Sequence, residues 1–328
     1  MNPDGSATSA AVVTVRSLGP STSTNQLVPL TARDLVFEPK TQRLYASIPG
    51  SSPTNPNSVV QIDPVSGTIT ASVFVGSEPG QLALSDDGRF LYVGLNGANA
   101  VRRVELPAMS ASLQWSLSPG QVAGDLHVAP SMPGTVAVSR HVPGVSPPLA
   151  GVTIYDEGIP RPTSSPGHTG GNRIEFLDSP SFLYGFNDTS TGAEFFTIAV
   201  DPSGARHLSQ TRGLIGGSYS NIVGVAGRIY GTDGSIVDAE RHVRIGIFPQ
   251  AGAIAVDPAL GRAYILNGSQ IGVYDLNTFG PLGSISFPTP TFGHPATANT
   301  RLVRWGTDGL AFLDQTRLFL IRSPLIGP

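Results

Sequence analysis

An aromatic side chain returns at nearly constant spacing along this chain. Tyr45, Tyr92, Tyr184, Tyr230, Tyr264 and Phe312 hold the position, and Ala137 takes the remaining turn. The intervals run from 45 to 48 residues, apart from 34 between Tyr230 and Tyr264. A strand begins about ten residues before each anchor, as in Leu35-Val36-Phe37, Leu82-Ala83-Leu84 and Ile254-Ala255-Val256. A third strand follows, ending in an acid in six units (Asp63, Glu105, Asp156, Asp201, Asp238, Asp275) and in Arg322 in the seventh. Each acid precedes turn residues such as Pro64-Val65-Ser66-Gly67, where a carboxylate can accept backbone N–H groups, as in an Asx-turn. One strand-rich unit of this length cannot bury its own apolar faces, so stacking copies must supply the core.

Four short strands per unit is the pattern of a propeller blade. The best copy is Glu78-Pro79-Gly80-Gln81-Leu82-Ala83-Leu84-Ser85-Asp86-Asp87-Gly88-Arg89-Phe90-Leu91-Tyr92-Val93. It resembles the YVTN-type seven-bladed β-propeller repeat of bacterial and archaeal surface proteins. That pattern has a Pro before the inner strand, a Pro-Asp-Gly-like turn and a Leu-Tyr-Val strand. The resemblance extends to Asp257-Pro258 with Gly261-Arg262-Ala263-Tyr264, and weaker copies cover the chain from about Ala32 onward. It implies an all-β, seven-bladed propeller and an extracellular or cell-surface setting, with the periplasm as the alternative. It implies no single activity, because function sits in sites carried by the fold.

Closure of such a ring needs an outer strand for the last blade. Leu302 to Pro328 supplies three strands and stops, whereas Gln26–Ala32 reads as an outermost strand without a blade of its own. The N-terminal strand is therefore expected to complete the last blade and remove an open sheet edge. The expected propeller spans residues 21–328, with the fifth blade, Asn221–Phe248, the smallest. Residues 1–20 stand outside the repeat. Asn2-Pro3-Asp4-Gly5 and the alternating run Ala10–Val15 resemble the last strand of an immunoglobulin-like domain of the IPT/TIG type, either a remnant or a linker. A free strand of that kind can pair with another sheet edge, so self-association through it is a further expectation.

Composition narrows the function classes. Hydrophobic residues make up 40% and charged residues 13%, and 39 Gly with 29 Pro punctuate many short strands, which fits an ordered all-β chain. Net charge is −3, with Lys40 the single lysine among 20 basic residues and no basic run, so no nucleic-acid partner is expected. With no cysteine, disulfide, thiolate and Cys-ligated zinc chemistry are excluded. No apolar run reaches membrane-spanning length, and no basic-then-apolar signal peptide follows Met1.

Three sets of residues invite a chemical reading. His168 (Gly167-His168-Thr169) and His294 (Gly293-His294-Pro295) fall in loops that enter inner strands, where they could meet across a channel mouth as acid–base groups. Seven-bladed lyases with a histidine at the mouth are a precedent. Asn187-Asp188-Thr189-Ser190-Thr191-Gly192-Ala193-Glu194 places oxygen ligands at loose calcium-loop spacing, but departs from the EF-hand pattern and reads better as a turn, so no metal is expected. Aligning the repeats gives a ring of residues that open the inner strands: Asp34, Gln81, Asp125, Arg173, Asn221, Ala253 and Arg301. Six of the seven are polar and their charges cancel. They would either satisfy one another or hold a small polar or zwitterionic ligand.

No nucleophile elbow, phosphate loop or dinucleotide fingerprint occurs, and Trp115 and Trp305 are too few to stack a quinone, so no cofactor is expected. The sequence points to a non-catalytic binding or assembly module of a secreted or surface protein. Its partner, a protein or a surface polysaccharide, would meet the loop face, which carries the Pro-rich stretches Pro49–Asn57 and Arg140–Ala150. The rival expectation is a lactonase-like hydrolase or lyase acting at the channel mouth.

Overall fold

The computed structural model describes residues 23–217, 219–291 and 300–327. The N-terminal segment 1–20 with its Ala10–Val15 run, and His294, lie outside these residues. Described elements are all strands. They form seven four-stranded antiparallel sheets, each built from strands consecutive in sequence except the last. These are the blades of a seven-bladed β-propeller. The inner strands are Asp34–Glu38, Pro79–Leu84, Val122–Val128, Arg173–Phe176, Ile222–Val225, Ala253–Asp257 and Val303–Trp305.

The local chemistry that makes a blade is plainest in the second. Phe90–Leu95 is aromatic and β-branched, which suits a pleated strand buried on both faces. The preceding turn is fixed by Asp87, whose Oδ1 accepts the Arg89 N–H at 3.0 Å and the Ser85 hydroxyl at 2.8 Å. Gly88 completes it at φ +69°, a left-handed conformation in which a Cβ is disfavoured. Terminal acids of the third strands act in the same way where the turn follows directly. Asp63 accepts N–H groups of Val65 and Ser66, Asp201 that of Ser203, Asp238 that of Arg241, and Asp275 those of Asn277 and Thr278. Asp156 departs from the expectation, taking the Thr135 hydroxyl and the Arg161 guanidinium instead, and Glu105 pairs with Arg103 at 3.8 Å.

The core lies between blades. Seven apolar clusters each combine residues of two neighbouring sheets, and together they run around the ring. Tyr45, Tyr92, Tyr184, Tyr230 and Tyr264 each face the following blade. Two of their hydroxyls reach it: Tyr92 donates to the Pro133 carbonyl at 2.8 Å and Tyr264 to that of Ile326 at 3.1 Å.

The seventh anchor needs correction. Tyr45 pairs across its sheet with Val36, Tyr92 with Ala83 and Tyr264 with Ala255, and the equivalent pair in the last blade is Val303 with Ala311. Phe312, one position later, points to the opposite side and packs on the sixth blade, stacked on Phe319 at 4.5 Å and beside Phe287. A shift of one residue along a strand exchanges its two faces, and the aromatic character of Phe312 outweighed that register in the sequence.

Closure follows the expected route. Thr24–Pro29 pairs antiparallel with Arg317–Arg322, from Thr24 opposite Arg322 to Pro29 opposite Arg317, as the outer strand of the last blade. The fifth blade, with strands of four, four, four and five residues, has the fewest strand residues of the seven. The third blade has an outer strand of only two, Ile159–Pro160. Pro160 and Pro162 cannot donate to a ladder, and the chain crosses to the fourth blade, where Thr163 bridges Gly204.

Candidate functional site

Successive side chains of a strand point to opposite faces, so every second residue of an inner strand looks into the central channel. The first such layer is the ring read from the sequence. The second, two residues further in, is Val36, Ala83, His127, Glu175, Val223, Ala255 and Val303. All seven of these line a central cavity of about 400 Å3, within the range of small-molecule sites.

The first layer binds the blades to one another. Inner strands of neighbouring blades share no ladder, so their outward N–H groups need other acceptors. Asp34 Oδ1 accepts the N–H of Leu35, and its Oδ2 that of Leu82 in the second blade, both at 2.8 Å. Asp125 repeats the device between the third and fourth blades, accepting Leu126 N–H and Ile174 N–H at 3.0 Å each. Both carboxyls are buried. Burial raises their pKa against the pull of Arg301 on Asp34 and of Arg173 on Asp125, and carries Asp125 to about 6.

Arg301 reaches across the mouth from the seventh blade. Its Nη1 lies 3.5 Å from Asp34 Oδ2 and 3.2 Å from the Leu82 carbonyl in the second blade. Arg173 turns to its own sheet, where Nε donates to the buried Asp188 at 2.9 Å. Asn221 caps its own strand through the Ile222 N–H at 2.9 Å, Gln81 is half-buried, and Ala253 is buried.

The structure places His168 in an exposed loop at φ +75°, its backbone N–H on the Leu149 carbonyl. No carboxylate of the described residues orients its ring. That bond also sets the loop entering the fourth blade beside the Arg140–Ala150 loop, and Gly50 N–H on Glu78 does the same for Pro49–Asn57 and Gly76–Gly80. The long loops and the entering loops thus share one face, here the upper face. In the 187–194 segment, Asn187 donates to Ser190 and Glu194 at 2.5 and 2.7 Å, while Asp188 is taken by Arg173. No group of three or more potential metal ligands occurs among the described residues.

Sequence motifs missed one pair. His127 Nε2 lies 2.6 Å from Glu175 Oε2, linking the third blade to the fourth in a layer otherwise made of Val and Ala. The other ring nitrogen, Nδ1, accepts the Phe176 N–H at 3.4 Å, which puts the proton of the neutral imidazole on Nε2. Burial disfavours the imidazolium, but the Glu175 carboxylate, with Asp125 behind it, more than offsets that and raises the His127 pKa above its usual value. Both nitrogens are engaged, whereas Glu175 keeps Oε1 without a hydrogen-bond partner among the described residues.

No protein-family profile matches the chain, and no curated protein matches it. Among solved structures it is similar to a chain of Kuenenia stuttgartiensis hydrazine synthase, with TM-score 0.66 and 13% identity over 90% of this chain and 97% of that one. It is also similar to the β-propeller domain of Myceliophteria thermophila Cps50 (Swd1), with TM-score 0.67 and 12% identity over 92% and 99%. Likeness at that identity establishes one thing, the β-propeller architecture.

Proposed function

We propose that this chain is a non-catalytic binding module whose upper face takes a protein partner in a secreted or cell-surface setting. One observation carries the reading: the titratable groups at the channel mouth are spent on holding blades together. Asp34 and Asp125 each accept backbone N–H groups of two blades, and His127 has both nitrogens occupied. A general base needs a free, oriented atom within reach of its proton. His168 is free but unoriented. The upper face offers what a partner needs instead, long loops on a rigid scaffold. The Arg140–Ala150 loop presents Val145 at 55% exposure among prolines, with little charge. The absence of cysteine fits an exported chain.

Two measurements test this. A photo-crosslinking residue placed at Val145 in cells of the source organism is expected to give a defined adduct, and the same residue at Val65, on the opposite rim, none. Hydrolysis of chromogenic esters and lactones is expected to stay at background. Turnover that disappears in His168→Ala would instead establish the hydrolase reading.

A further inference from the structure

Independently of the loop face, the central cavity has the composition of a ligand site. Five of the seven second-layer residues are Val or Ala, and the described polar groups of that layer are His127 and Glu175. The imidazole has no atom left to offer. Glu175, with its side chain 17% exposed to the channel, offers one acceptor, Oε1, and no donor. An occupant that matched this wall would carry an N–H or O–H donor on an apolar body.

Charge decides between them. Around the upper half of the channel, Asp34, Asp125, Asp188 and Glu175 outnumber Arg173, Arg301 and His127 even with the imidazole protonated. Arg301 is the cation whose field reaches Glu175, but its Nη1 is held at the mouth by Asp34 and the Leu82 carbonyl. A carboxylate in an apolar wall is stabilised most by a cation that also hydrogen-bonds to it. A calcium or magnesium ion would need about six oxygens, and this layer supplies one free carboxylate oxygen.

We infer that the central channel binds a small organic ammonium ion, its N–H groups on Glu175 Oε1 and its hydrocarbon body against Val36, Ala83, Val223, Ala255 and Val303. The His127–Glu175 bond positions the carboxylate and directs its open oxygen to the cavity. The rest of the layer selects by size and apolarity.

Butylammonium and butanol, equal in length and differing in charge, are the probes. By calorimetry or amide chemical shifts of Ala83, Val223 and Ala255, butylammonium is expected to bind the full-length protein at least tenfold more tightly than butanol. Glu175→Gln should bring the two to the same affinity. Ala255→Leu, which fills the cavity and leaves the carboxylate in place, should weaken both. Equal binding of the two probes to the unaltered protein would overturn the inference, as would an ammonium preference that survives Glu175→Gln. If Glu175→Gln does not fold, an ammonium affinity unchanged by Ala255→Leu is the overturning result. Crosslinking at Val145 reads the loop-face partner in the same variants, so the two readings fail separately.

Discussion

At the scale of single residues, the two buried aspartates show how a polar group can serve a core. Each takes up N–H groups that the gap between blades would otherwise strand, and an unmet buried donor costs about 1–3 kcal/mol. The same burial makes Asp125 a pH-sensitive element. Its pKa in the folded protein, about 6, exceeds the ordinary carboxylate value of 3.8, so the folded state holds its proton more tightly. The resulting stabilisation is fully present below about pH 4 and disappears as pH rises through 6. A rise from 3.8 to about 6 corresponds to about 3 kcal/mol. His127, also raised, acts in the same direction. Urea titrations at pH 4 to 7 are expected to show Asp125→Asn gaining stability relative to the unaltered protein as pH rises. A constant difference across that range would exclude the carboxyl as the titrating group.

Elements show which inferences survive translation from one dimension to three. The anchors, the inner strands and the closing strand were legible because apolar periodicity repeats seven times, so an error in one copy is corrected by the others. The exception is instructive. Phe312 carries the aromatic ring, whereas a spacing of 47 from Tyr264, matching two of the earlier intervals, points to Ala311. The second-layer pair was invisible to motif searches, since His127 and Glu175 lie in different blades. The signal that could have found them is the same alignment that gave the first layer, read two residues further along each inner strand. What no alignment could supply is how the acids are used, because acceptance of a neighbour's N–H depends on the separation of blades. The closing strand yields a direct test. Val28 packs on the cluster between the last and first blades, whereas Leu27 is exposed at 37%. Val28→Asp should cost about 2–4 kcal/mol in urea unfolding, and Leu27→Lys less than about 0.5 kcal/mol. Equal effects would mean that the strand is not seated with Val28 inward.

For the whole molecule, the pairing of Thr24–Pro29 with Arg317–Arg322 sets a clock on its birth. Thr24–Pro29 leaves the ribosome before any of the seven inner strands and pairs with Arg317–Arg322, made after all of them, so every blade before the seventh can assemble while the ring is still open. At about 5–20 residues per second, the early strand waits roughly 15–60 s for its partner. During that interval its N–H and C=O groups, and the apolar flank of the first blade that meets Val303, Trp305 and Leu318 in the finished ring, stay uncovered. Nascent chains arrested after residue 300 are therefore expected to be cut readily by protease near Thr24–Pro29, and chains released at full length to resist. All seven inner strands must be synthesised before Thr24–Pro29 has anything to hold.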